Sequence, residues 1–94
     1  MSDEVIVTED ADAERFDATI SGRPAGHVGY RVADGRMTIP HTEVDPAFGG
    51  KGVGSRLAVA ALDAARERGL AVVPQCPFIT KYIERHPEYA ELVA

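Results

Sequence analysis

The apolar rhythm of this chain changes once, after Asp45-Pro46, and that single switch limits the folds open to it. Before the switch, apolar and polar residues alternate, the two-residue period of half-buried strands. After it they recur every three or four positions, the period of a helix. Val5-Ile-Val-Thr8 reads as a short strand, and Asp10 to Glu14 is too polar to be anything but a turn. Phe16 to Ser21 alternates and is broken by Gly22-Arg23-Pro24, and Gly26 to Val32 alternates again. Asp34-Gly35 is a two-residue hairpin signal, with Met37 to Val44 as the returning strand. Together these segments predict an antiparallel meander.

Beyond the switch, Val53, Leu57, Ala60, Ala61, Ala64 and Ala65 mark one face of a helix. Ser55, Arg56, Asp63, Arg66 and Glu67 occupy the other. Gly69 stands where a glycine ends a helix, and Arg66 and Arg68 suit the negative end of its dipole. Leu70 to Pro74 is a continuous apolar run, as in a strand covered on both faces. Phe78 to Arg85 reads as a short second helix that His86-Pro87 terminates. Meander, helix, strand, helix is an α+β order, and its helix–strand unit is a parallel crossover. With 94 residues there is room for one domain, residues 1–94, and for one core.

Charge narrows the function classes. The net charge of −5 argues against nucleic-acid binding, which needs a basic surface. Residues 1–48 hold ten acids and four bases, and residues 49–94 hold five acids and six bases. An anionic ligand is therefore expected in the second half. One cysteine excludes an internal disulfide, and with three scattered histidines no metal site is expected. The acidic start is no secretory signal, and no run approaches the roughly 18 apolar residues of a membrane span. The expectation is a cytoplasmic protein with no membrane partner.

Gly49-Gly50-Lys51-Gly52-Val53-Gly54-Ser55 is the segment that points to a ligand. Inside a helix each glycine would cost roughly 1 kcal/mol relative to alanine, so the loop belongs at a helix entrance. There the bare backbone and the free N–H groups of the first turn form an anion site suited to phosphate. The Walker A pattern fails, because Gly50-Lys51 is followed by Gly52 rather than Ser or Thr. The dinucleotide fingerprint fails too: its sixth position is Ser55 counted from Gly50 and Leu57 counted from Gly52.

The spacing resembles motif A of the GNAT acetyltransferases, in the register Gly49, Gly50-Lys51, Gly52, Val53, Gly54. His41-Thr-Glu-Val44, Gly69-Leu70, Val73-Pro74, Cys76-Pro77-Phe78 and His86-Pro-Glu-Tyr89 extend the likeness to the short single-domain GNAT-like group, over about residues 15–93. The resemblance implies a minimal GNAT-like fold that binds acetyl-CoA, or coenzyme A, between Met37–Val44 and Ala71–Cys76. Pro40 is consistent with a disturbed strand there. Gly49 departs from the family's Gln or Arg, which removes a side-chain grip on the pyrophosphate. Thr42, Val44 and the loop residues Gly49, Gly50, Lys51, Gly52, Val53, Gly54 and Ser55 are the cofactor-binding candidates.

Acetyl transfer to an amine needs a base for the ammonium proton and fixed donors for the developing oxyanion. The resemblance assigns the donors to the backbone of Thr42 to Val44. His41 and Glu43 are the candidate bases, on one strand face with Met37 and Ile39 unless a bulge at Pro40 shifts the register. Cys76 is either a nucleophile that His41 activates, an acid for the departing thiolate, or a small buried hydrophobe. Tyr82 matches the region of the family's tyrosine acid and is equally suited to core packing. His27 and His86 receive no role. The expected function is acetyl transfer to a small-molecule or protein amine, with a non-catalytic acyl-CoA-binding or protein-docking module as the alternative.

Overall fold

The computed structural model describes residues 4–94, and its elements follow the order that the periodicity sets. β1 (Val5–Asp10), β2 (Arg15–Ile20) and β3 (Arg23–Gly29) run antiparallel. Next come β4 (Arg31–Ala33), β5 (Arg36–Ile39) and β6 (Thr42–Val44). Helix α1 (Val53–Glu67), strand β7 (Ala71–Pro74) and helix α2 (Pro77–Arg85) complete the regular elements. Asp34 and Gly35 both take positive φ, 53° and 75°, as a tight two-residue hairpin requires. Gly69, at φ 68°, ends α1 as expected.

Two strands that look continuous in sequence are each broken in two. Gly26–Val32 divides into the end of β3 and the start of β4, and Met37–Val44 divides into β5 and β6. Pro40 has no N–H to give to a ladder, so pairing stops beside it. The breaks face each other, and Gly29 N donates to His41 O across them at 3.3 Å. One consequence is two sheets, β1-β2-β3-β6 and β4-β5-β7, the latter containing the parallel pair β5–β7.

The core lies on one side of both sheets. Phe16, Ala18, Ile20, Val28, Met37, Ile39 and Val72 are buried against Val53, Leu57, Ala61 and Leu62 of α1. Alternate strand residues face away and stay partly or fully exposed. The tail packs rather than frays: after α2 a 3-10 stretch, Pro87–Leu92, brings the Tyr89 hydroxyl within 3.0 Å of Asp63 on α1. At the far end of α1, Arg68 donates to the Glu9 carboxylate at 2.9 Å, and the Tyr30 hydroxyl donates to it too. The Arg68 guanidinium, aided by that hydroxyl, holds the Glu9 carboxyl below its ordinary value against the opposing pull of burial. Among the described residues no helix is long and apolar enough to cross a membrane.

Candidate active site

β5 and β7 stay paired as far as Ile39 opposite Pro74, and the last link is Cys76 N donating to Ile39 O at 3.0 Å. Beyond that point β6 turns away to pair with β3, while Cys76 begins α2, so the two strands splay. The edge of β6 that faces the opening follows from its hydrogen bonds. His41 O accepts from Gly29, and Asp45 N donates to Ala25 O at 2.8 Å, so odd-numbered residues point their backbone groups at β3. By strand alternation the N–H groups of Thr42 and Val44 point the other way, into the splay.

Cys76 closes the apex of this opening. It is only 4 % exposed, and its Sγ lies 3.5 Å from the Thr42 hydroxyl oxygen. Burial pushes the thiol up. The Thr42 hydroxyl and the amides of Ile79, Phe78 and Thr42 outweigh it, so Cys76 is held below its ordinary thiol value. The side chain makes no cap hydrogen bond. Even so, its place at the N-cap of α2 turns the first amides of that helix toward an anion.

The glycine loop enters α1 as the sequence implies. Gly50 and Gly52 adopt φ 80° and 78°, and no other atom lies within 4 Å of where a Cβ would stand on either. Such open backbone fits a phosphate cradle. The first bond of the helix is Arg56 N to Gly52 O, and Gly52 caps without a side chain. The amides of Val53, Gly54 and Ser55 therefore precede the intrahelical ladder. Gly49 and Lys51 contribute differently, because their N–H groups bond within the loop to Pro46 O and Phe48 O at 3.2 and 3.4 Å. Gly54 is bare for a packing reason: a Cβ there would stand 2.7 Å from Cζ of Phe78.

The bulge at Pro40 does shift the register. Met37 and Ile39 are fully buried, whereas His41 and Glu43 are exposed on the outer face of the sheet. Thr42, not His41, is the strand residue in contact with the Cys76 sulfur. His41 lies over Gly29, and its ring meets His27 edge-on with centroids 5.5 Å apart. His27 Nε2 is 3.9 Å from Glu43 Oε2, so this histidine joins both candidate bases. The sequence reading passed over His27, and hairpin counting could not have found it, because it faces Glu43 only through the bulge at Pro40. Tyr82 stands apart from Cys76, about 9 Å further along the helix axis at 1.5 Å per residue. It stacks on His86 at 4.0 Å and lines a hollow of about 140 Å³ with Ser55, Phe78, Lys81 and Arg85. Burial, and then the charges of Glu88 and Asp63, push its phenol up.

A cleft between splayed parallel strands, with a phosphate-ready helix entrance beside it, defines the class. The chain belongs to the GCN5-related N-acetyl-transferase family, whose profile matches residues 15–92. Human protein NATD1 is 39 % identical over 61 residues, which are 65 % of this chain and 50 % of that protein. The chicken protein NATD1 is likewise 39 % identical over 61 residues, 52 % of its length. The aligned segment thus spans about half of these curated relatives. Among solved structures, a GCN5-like protein from Staphylococcus aureus aligns with a TM-score of 0.71 and 28 % identity, covering all of this chain and 91 % of that one. The ribosomal-protein-S18-alanine N-acetyltransferase of Escherichia coli aligns with a TM-score of 0.61 and 26 % identity, over 64 % of this chain and 39 % of that enzyme.

Proposed function

We propose that the chain is an N-acetyltransferase that takes its acetyl group from acetyl-CoA and passes it to an amine. The observation that carries this reading is the splay itself, with the Thr42 and Val44 amides turned away from β3 and a lowered thiol at its apex. When bound, acetyl-CoA supplies an acyl thioester. The residues suited to hold it are the amides of Val53, Gly54 and Ser55 and the open backbone of Gly50 and Gly52 at the phosphate end. At the acyl end, Thr42 and Val44 offer fixed N–H donors to a developing negative oxygen. Because Gly49 carries no side chain, the phosphate grip rests on backbone and dipole.

The lowered Cys76 thiol suits a nucleophile better than a proton donor, since the thiolate is the reactive form. His41 and Glu43 stand on the other side of β6, where an acceptor amine can reach them without entering the core. The acceptor is either a small amine or a protein amine. That an aligned Escherichia coli enzyme acts on a ribosomal-protein alanine keeps a polypeptide acceptor within the proposal.

The test is an amide NMR titration with acetyl-CoA, followed by intact-mass analysis. Shifts confined to Thr42, Val44, Gly50–Ser55 and Cys76–Phe78 are expected, together with an acetyl adduct that Cys76→Ala lacks. Binding without an adduct and without CoA release over an amine panel would leave a non-catalytic acyl-CoA module. No shifts at millimolar ligand would overturn the reading altogether.

A further inference from the structure

The outer face of the sheet carries a trough that the two helices leave open. Both helices pack on the core side, so the outward residues of β2, β3 and β6 form its floor. Three adjoining hollows make it up. The first, about 360 Å³, is bordered by Asp17, His27, Glu43 and Asp45. The second, about 300 Å³, shares His27 with the first and adds Pro40 and His41. The third, about 310 Å³, shares Pro40 with the second and ends at Thr38 and Gln75.

The position of the third hollow matters most. Pro40 and His41 immediately precede Thr42, and Gln75 immediately precedes Cys76. The trough therefore passes over the outer mouth of the splay whose inner apex is the Cys76–Thr42 pair. A molecule lying in it can present one end at the mouth while the rest extends toward β2.

The charge along the trough is graded. Asp17, His27 and Glu43 are cross-strand partners in one row over three strands. Arg15 takes up the Asp17 carboxylate at 3.1 Å, whereas Glu43, its side chain 70 % exposed, has the His27 imidazole 3.9 Å away. Asp45 stands two residues further along, one of its oxygens accepting from Ala47 N at 2.9 Å. Glu14, in the second hollow, is engaged by the Val32 amide at 3.2 Å. Arg31 borders the second and third hollows, on the side of the mouth away from Glu43 and Asp45. Negative charge thus collects at the β6 end and not at the mouth.

We infer that this trough is the acceptor site, and that its substrate class is a short linear diamine or triamine. The inference rests on the proposed acetyl-transfer reading and names its acceptor. The reacting amine lies at the mouth beside His41, and a second, still protonated amine lies between Glu43 and Asp45. Glu43 is three residues on from Pro40, a spacing of at most about 10 Å at some 3.3 Å per residue. An extended aliphatic polyamine bridges that distance, and a monoamine does not. A flexible dication also suits a floor with no deep apolar socket for a side chain. His27 and His41 are the imidazoles positioned to take the proton that the reacting ammonium releases.

The experiment is a pair of independent amide NMR titrations of the whole chain, one with spermidine and one with acetyl-CoA. Spermidine is expected to move Asp17, His27, His41, Glu43 and Asp45, and to bind at least about tenfold more tightly than n-butylamine. Combining Glu43→Gln with Asp45→Asn, which keeps both shapes and the cap on Ala47, is expected to erase that tenfold preference. Equal affinity for the monoamine overturns the inference, as does a spermidine footprint elsewhere or none at millimolar concentration. Binding of a lysine peptide in the trough without any polyamine binding also overturns it and makes the acceptor a polypeptide. Acetyl-CoA shifts without spermidine shifts sink this inference alone. Spermidine shifts without acetyl-CoA shifts sink the acetyl-transfer reading, and with it the trough's role as acceptor site, leaving only a polyamine-binding trough.

Discussion

Gly26 on β3 is the residue against which β6 is seated, and replacing it by alanine tests whether that seat is rigid. A Cβ at Gly26 would lie 2.5 Å from the Glu43 carbonyl oxygen, 3.2 Å from Val44 Cα and 3.2 Å from Val53 Cγ1. Two of the three obstacles are backbone, and the third is a valine side chain in the core, only 1 % exposed. To reach ordinary van der Waals contact the Glu43 carbonyl must retreat by about 1 Å, and β6 has only three residues with which to absorb it. Overpacking of this kind costs typically about 1–3 kcal/mol, and contact with backbone places it at the upper end. Removing a glycine from a strand returns roughly 0.5–1 kcal/mol. The expected net loss is about 2 kcal/mol, which for a domain of this size lowers Tm by roughly 8–16 °C. A circular-dichroism melt reads that directly, and amide spectra should show Thr42, Glu43 and Val44 displaced. A Tm within about 3 °C of the parent, with those three amides unmoved, would refute the claim that β6 is held by close backbone approach.

Gly54→Ala offers the contrasting case. Its Cβ would meet the far end of the Phe78 ring, which is 41 % exposed and free to swing, while the helix gains about 1 kcal/mol from the lost glycine. A Tm unchanged or raised by a few degrees is expected, with Phe78 resonances shifted, and a fall of more than about 8 °C would show the ring to be fixed. Thr42→Val removes the hydroxyl that favours the Cys76 anion. The apparent thiol pKa should therefore rise and the thiolate fraction at neutral pH should fall, with Thr42→Ser restoring both. Because Cys76 is the only cysteine, thiolate absorbance in the ultraviolet reports on it alone, and identical titrations of parent and Thr42→Val would show the contact to be inert.

The elements that local chemistry dictates were legible in advance. The α1 stripe of Val53, Leu57, Ala61 and Ala65 lies in the core, the Asp34-Gly35 turn forms, and Gly69 ends the helix with positive φ. The glycine loop was legible as a helix entrance, but its division of labour was not. Whether Gly49 and Lys51 spend their amides inside the loop depends on the 3-10 turn before it, Pro46–Phe48, which Asp45 caps. No spacing rule reveals that the bare face of Gly54 belongs to Phe78, since 24 residues separate them.

The site turns on one residue that strand alternation does not count. From the hairpin, Arg31 pairs with Thr38, and three steps back along the first strand Val28 pairs with Thr42. The returning strand takes four steps over the same interval, so it carries one extra residue across the Pro40-His41 bend. Read as one unbroken strand with no bulge at Pro40, the alternation would put His41 and Glu43 inward beside Met37 and Ile39, and hairpin arithmetic would set His27 against Thr42. With it, Thr42 turns inward to Cys76 and Glu43 turns outward to His27. A single bulge therefore separates the thiol from the imidazoles and assigns each to its own face of β6. Deleting Pro40 removes the extra residue and leaves three steps from Thr38 to Thr42 against three from Arg31 to Val28. Ordinary alternation should then keep Thr42 at Cys76 and Glu43 at His27, and amide spectra showing the His27–Glu43 pairing lost would refute this account of the register.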